Sequence, residues 1–221
     1  MAGAEGATSF YDTAELEKTL NRLVDWNIVN NGERRLSVGA VNVASGNFRY
    51  FDTTLEHLDA RHVMASGALP PAFPAVEIEN DHYWDGGIVS NTPLQYLLEQ
   101  EDLSDTLAFQ VDLFSARGLL PRDMGEVNSR HKDIMYPSRT RNNTDTFRRI
   151  HNLNMRLHDA ILKVPADQRS KDEHDFLDRM KDVPQINILH LIYQPRIYES
   201  DAKDYEFSGT SMREHWASGY R

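Results

Sequence analysis

The residues best suited to chemistry lie between Ala65 and Leu98, in three pieces: Ala65-Ser66-Gly67-Ala68-Leu69-Pro70-Pro71-Ala72-Phe73-Pro74, Tyr83-Trp84-Asp85-Gly86-Gly87, and Asn91-Thr92-Pro93. An acid followed by two glycines has a specific use. Without Cβ atoms the backbone can turn sharply, and another element can come close to the carboxylate. Asp85 held in that way is a candidate base, although Asp-Gly is also a favoured turn dipeptide and a plain turn accounts for the pair on its own. With no Cys in the chain, disulfides, thiolate metal sites and a thiol nucleophile are excluded. Histidine offers little in exchange. His57 and His62 are five apart and do not share a helix face, no His-Glu-x-x-His occurs, and His151 with His158 lacks a carboxylate at ligand spacing. No metal site is expected, and these side chains read as solvated or core-edge.

A second feature is a basic strip. Between Arg130 and Arg156 stand Arg130, Lys132, Arg139, Arg141, Arg148, Arg149 and Arg156 against only Asp133 and Asp145. Such a strip attracts phospholipid head groups or nucleic-acid phosphates; it is also what a solvated helix face paired with acidic neighbours looks like. No nucleic-acid-binding motif accompanies it.

Positioning these residues requires a layered scaffold. Asp12 to Trp26 predicts an amphipathic helix with Leu16, Leu20, Leu23 and Val24 on one face, an Asp12/Glu15 cap and an end near Asn30-Asn31-Gly32. Leu36 to Val43 is almost continuously apolar or small, which predicts a central strand covered on both faces, and turn residues 44–47 lead to a partner strand at Phe48 to Phe51. Thr54 to Ser66 predicts a helix with Leu55, Leu58, His62 and Ala65 on one face, stopped by Pro70-Pro71. Short extended pieces follow at Pro74 to Glu79 and His82 to Trp84. Thr92-Pro93-Leu94-Gln95 reads as cap, first turn and reach-back of a helix with a Leu94, Leu97, Leu98 stripe. Thr106 to Phe114 and Gln185 to Gln194 read as strands, the latter buried, and the intervening stretch from Pro121 to Pro184 as largely helical with breaks at Pro137 and Pro165. Ser211 starts a last helix. Strands separated by helices argue for an α/β domain.

The chain has 221 residues, 40% hydrophobic and 26% charged, which suits a globular protein large enough to bury a core. Its net charge of −10 disfavours non-specific attraction to nucleic acid or anionic membranes for the chain as a whole. Mean hydropathy is −0.59. No apolar run approaches the roughly 18 residues of a membrane span, and Met1 to Phe10 lacks the basic and apolar regions of a secretory leader. A cytoplasmic or peripheral membrane location is expected.

The run Ala-Ser-x-Ala-x-Pro-Pro-x-Phe-Pro, then Trp-Asp-Gly-Gly, then Asn-x-Pro six residues after the Asp resembles the second half of the patatin-like phospholipase catalytic domain, in family order and spacing. Val38-Gly39-Ala40-Val41-Asn42-Val43 with Ser45-Gly46-Asn47-Phe48 resembles bacterial members, and Pro121 to Arg156 with Tyr205 to Tyr220 is similar to a C-terminal region of one bacterial subgroup. The resemblance runs from Ser9 to the end. It implies residues 9–120 as part of a three-layer α/β hydrolase domain, and residues 121–221 as a mostly helical extension with one buried strand at 186–193, packed on the same domain. It implies a lipid acyl hydrolase with a Ser-Asp dyad, needing no cofactor. Asp85 takes the role of base, Gly86 and Gly87 shape the dyad turn, and Asn91 and Pro93 position the next helix.

One part of the pattern is missing. Such enzymes carry their nucleophile on a Gly-x-Ser-x-Gly elbow between a strand and a helix. Gly209-Thr210-Ser211-Met212-Arg213 has Arg where the second Gly belongs and follows no strand, so Ser211 reads as a helix N-cap. Ser66 precedes a Pro-Pro break and reads as a structural hydroxyl. Met1-Ala2-Gly3-Ala4-Glu5-Gly6 is too short for an oxyanion loop. The expectation is therefore a C-terminal segment of a hydrolase that supplies the base and lacks the nucleophile. The alternative is a catalytically silent binding module that uses the basic region. Expected partners are a lipid or acyl ester, a membrane surface met by Arg139, Arg141, Arg148 and Arg149, and a second copy of the chain, but not nucleic acid.

Overall fold

The computed structural model describes residues 6–90, 93–100, 104–135, 140–181, 184–193 and 208–220, with the backbone alone for 140–144. In chain order the first elements are α1 (Ala14–Leu23), α2 (Trp26–Asn30), β1 (Ser37–Asn42), β2 (Phe48–Asp52), α3 (Ala60–Ser66), β3 (Val76–Ile78) and β4 (Asp81–Asp85). There follow α4 (Leu94–Leu98), β5 (Thr106–Asp112), α5 (Met124–Met135), α6 (Thr140–Leu162), α7 (Lys171–Arg179), β6 (Ile186–Ile192) and α8 (Gly209–Gly219). The fold is α/β. It divides into two compact units, one made of Met1–Asn91, Ala116–Tyr136 and Pro195–Arg221, the other of Thr92–Ser115 and Pro137–Gln194.

The first unit is built on a four-stranded sheet ordered β2-β1-β4-β3 with every neighbouring pair antiparallel. As expected, β1 is internal and pairs with β2 as a hairpin. Its small residues serve its two faces differently. Ala40 joins Phe51, Leu58, Ala65, Ile78 and Tyr83 in the core, where Phe51 meets Tyr83 edge-on at 5.1 Å and His62 at 4.9 Å. Only Ala40 and Val41 of β1 are buried, so the strand is less enclosed than its sequence predicts.

Local polar chemistry moves several boundaries. The helix expected from Thr54 begins only at Ala60, because Asp52 captures the intervening chain: its carboxylate accepts from Thr54 N–H at 2.8 Å and its carbonyl from Leu55 and Glu56 N–H at 2.9 and 3.0 Å. Leu55 is left exposed instead of facing the core. Asp59 caps α3, and His62, placed above on the inner face of this helix, completes the capping box by accepting the Asp59 N–H at 3.0 Å. Asp25 splits the first predicted helix by capping α2 through Asn27 and Ile28 N–H. Asp12 accepts from Ala14 N–H while Glu15 turns to Lys18, so no reciprocal box forms there.

The second unit holds β5 and β6 in parallel register from Thr106↔Ile186 to Asp112↔Ile192, together with α4, α6 and α7. Ser170 and Glu173 form a true capping box on α7, and Pro165 sets the break that precedes it. Strand β6 is not the buried strand the sequence predicts. Leu189, Leu191 and Ile192 are exposed, as are Leu107, Phe109 and Val111 of β5. At α4 the side chain of Gln95 donates to Glu99 at 2.7 Å rather than reaching back, Leu97 is exposed, and Leu94 alone of the predicted stripe is fully buried. Thr92 and Pro137 lie outside the described residues.

Candidate functional site

Asp85 is the last residue of β4, and the strand pairing sets it opposite Ala40 of β1. Its backbone N–H donates to Ala68 C=O at 3.0 Å. That contact ties the Asp to the Ala-Ser-Gly-Ala stretch in which α3 ends. The chain then leaves the sheet through a single turn of 3-10 helix, Gly86–Ile88.

The turn is glycine for a measurable reason. A Cβ on Gly86 would stand 2.7 Å from the Gly39 carbonyl oxygen and 2.9 Å from Phe48 Cε2; one on Gly39 would stand 2.5 Å from Phe48 Cζ. Two glycines and one ring therefore interlock, so that β1 lies against the turn that carries the acid. Gly87 contributes its N–H, which donates to Asp85 Oδ1 at 2.7 Å. Among the described residues this is the only hydrogen bond to that carboxylate, and no Arg or Lys pairs with it. Burial pushes the Asp85 carboxyl up from the ordinary aspartate value, and the Gly87 N–H draws it only part of the way back. The result is a half-buried carboxylate with one oxygen anchored, the other without a described partner, and a stronger hold on a proton than an exposed Asp. That suits a general base.

Of the other sequence candidates, Gly87 is the one with a described hydrogen bond to Asp85. Ser66 is the last residue of α3, so it ends a helix where an elbow serine would begin one. Ser211 is not the cap of α8; Ser208 is, accepting the Ser211 N–H at 3.3 Å. No described hydrogen bond joins either serine to Asp85. Asn91 and Arg139 lie outside the described residues, and of Arg141 only the backbone is described. Pro93 immediately precedes α4, its carbonyl accepting from Leu97 N–H at 3.1 Å. Arg148 and Arg149 are exposed on α6. His57 is exposed, His151 stacks on Phe147, and His158 lies 3.3 Å from Asp159. Among the described residues no three His, Asp or Glu side chains converge as a metal site would require.

Residues 3–98 match a family model described as Patatin-like phospholipase, and residues 134–221 match a second, described as Patatin phospholipase. The two matches follow one another along the chain and span most of it. The chain belongs to the patatin-like phospholipase family. This bears out the resemblance drawn from the Asp-Gly-Gly region and from the helical C-terminal part, and it carries a lipid hydrolase-type function. No curated protein matches the chain. The first match contains the whole patatin-like turn, with Gly39, Phe48 and Ala68 as well as Asp85 to Gly87. These three supports are absent from the sequence-based list of site residues. An isolated Gly inside a strand is the signal by which Gly39 could have been found; Ala68 offers only a backbone carbonyl, which no side-chain pattern reveals.

Proposed function

We propose that this chain is the base-bearing part of a patatin-like lipid acyl hydrolase in which Asp85 works with a serine nucleophile supplied by residues outside this sequence. Asp85 would take the serine proton as the hydroxyl attacks the acyl carbonyl and give it to the leaving alcohol as the acyl-serine ester forms; it would then take a proton from the water that attacks that ester and return it to the serine oxygen as the fatty acid departs. Gly86 and Gly87 shape the turn, and no cofactor is needed for these steps. The observation that carries the reading is the Asp85 carboxylate itself: held at a strand end, bonded by one N–H, and raised in proton affinity by burial. A short-chain p-nitrophenyl ester assay tests it. The chain alone should show no Asp85-dependent turnover, and addition of a polypeptide carrying the Gly-x-Ser-x-Gly elbow should restore it. Turnover by the chain alone that disappears in Asp85→Asn would place a nucleophile within these residues and refute the division of labour.

A second reading is favoured by the exposure of Arg148 and Arg149 on α6 within an acidic chain. On it the basic helical region meets the anionic head groups of a membrane surface, which agrees with the absence, among the described residues, of any helix long and apolar enough to cross one. The exposed Leu107, Phe109 and Val111 support the self-association we propose beside it. Light scattering on the chain and on Phe109→Glu checks that; a monomer at all concentrations would remove it.

A further inference from the structure

Helix α6 has a face that the Asp85 site does not use. Phe147, His151, Asn154, His158 and Ile161 recur at helical spacing and make its half-buried to buried side. Beside them Ile150, Leu153 and Leu157, at i, i+3 and i+7, are 53%, 64% and 46% exposed. One exposed leucine is ordinary, but a continuous apolar stripe on one helix is not. A second row runs along the far side of that stripe. Arg149, Arg156 and Lys163 stand seven residues apart, nearly two full turns, so they align along the helix and its end, and all three are exposed. With Arg148 they outnumber Asp145 and Asp159 over this span, in a chain of net charge −10.

We propose that α6 lies in the plane of an anionic lipid surface, with the Ile150–Leu153–Leu157 stripe inserted at the boundary of the acyl chains and Arg149, Arg156 and Lys163 on lipid phosphates. This deepens the lipid-facing reading of the basic region and rests on it. The pairing of rows selects the occupant. A nucleic acid would engage the cations and leave the apolar stripe in water, whereas a lipid interface accepts both rows at once, apolar side down and cations at head-group level. A family that acts on lipid gives such contact an evident use.

The test uses the full chain and extruded vesicles of phosphatidylcholine, alone or with one quarter phosphatidylglycerol. Partition should favour the anionic vesicles, weaken with added salt, and fall on the order of tenfold or more in Arg149→Glu/Arg156→Glu. Because the chain has no Cys, Leu153→Cys and Met155→Cys each give one labelling site, on the stripe and on a different side of the helix respectively. A fluorophore at 153 should be quenched by nitroxide-labelled lipid and one at 155 much less. Equal quenching at both sites, with binding still lost in the double Glu variant, would leave the charge contact standing and overturn the insertion. No preference for anionic vesicles would overturn both. Salt-dependent binding of a random-sequence RNA without vesicle partition would also overturn the proposal, and would assign the cations to nucleic acid.

Discussion

Two aspartates flank the central strand β1, and the fold treats them in opposite ways. Asp52, opposite Ser37, is fully buried and saturated: Arg35 reaches it at 2.7 Å, Thr54 Oγ1 donates at 2.6 Å and Thr54 N–H at 2.8 Å, and Ser37 Oγ donates as well. Burial alone would raise its carboxyl, but these partners together overcome it and hold the group far below the usual carboxylate range. Asp85, opposite Ala40, has the Gly87 N–H and nothing else among the described residues, and burial wins. The difference separates a carboxylate used to fasten a turn from one kept available for a proton. Burial pushes both carboxyls up; the number of donors decides which one stays raised.

The largest expected effect lies on the Asp85 side. On the proposed division of labour, Asp85→Asn in an enzyme completed with a serine-bearing part should lower turnover by roughly 10²- to 10⁴-fold, the usual worth of a general base, with the fold intact by circular dichroism. Asp52→Asn should leave the rate of the folded fraction almost unchanged. Turnover that survives Asp85→Asn would break the contrast at its functional end.

Stability should show the reverse ranking. Asp52→Asn removes the ionic partner of Arg35 and weakens the clamp on residues 53–56, so urea denaturation at neutral pH should show a loss of about 3 kcal/mol. Asp85→Asn should cost little, since the native state already disfavours that charge. A smaller loss at Asp52 than at Asp85 would mean that the donor network there is not what holds the turn.

The glycines sharpen the same comparison at intermediate size. Gly86→Ala places its Cβ against the backbone of Gly39, which cannot give way, whereas Gly39→Ala strikes mainly the Phe48 ring. Each should cost about 2 kcal/mol. Adding Phe48→Leu should recover most of the loss at Gly39 and little of it at Gly86. Equal rescue would show that the turn carrying Asp85 is free to move away from β1.

Much of this arrangement could be read from residue order. The central position of β1, its hairpin with β2, and Asp85 as the acid of a glycine turn all follow from local composition and motif. What could not be read depends on partners distant in sequence or on backbone groups. Asp52 sits in an apolar strand end and looks like a simple strand terminator; its role appears only when Arg35 and Ser37 are folded against it. For the same reason the helix expected from Thr54 was misplaced: an Asp that competes for backbone N–H groups outweighs helical periodicity over one turn. His62 shows the converse case: periodicity puts it on the inner face of its helix, where it is buried, but does not reveal that its ring also caps the helix. The exposed leucines of β6 share their apolar pattern with a buried strand, because the pattern records what a face is suited to cover and not whether it is covered.

The smallest expected effect is also the one most specific to the contrast, since it turns on sign. Asp52 titrates below its unfolded value of about 3.9, so below that value the unfolded chain binds the extra proton; its contribution to stability is present above the unfolded value and is lost as pH falls toward the lowered folded one. Asp85 is raised, so the folded state binds the extra proton. Its contribution is complete below the unfolded value and is lost as pH rises through the folded one. Urea denaturation of the wild-type chain, Asp52→Asn and Asp85→Asn between pH 3 and pH 7 should therefore give two trends of opposite slope: the gap between wild type and Asp52→Asn widens with rising pH, while Asp85→Asn gains on wild type. Slopes of the same sign would mean that donors absent from the geometry described above compensate Asp85 as Arg35 compensates Asp52, and the carboxylate assigned as base would then be a second structural anchor.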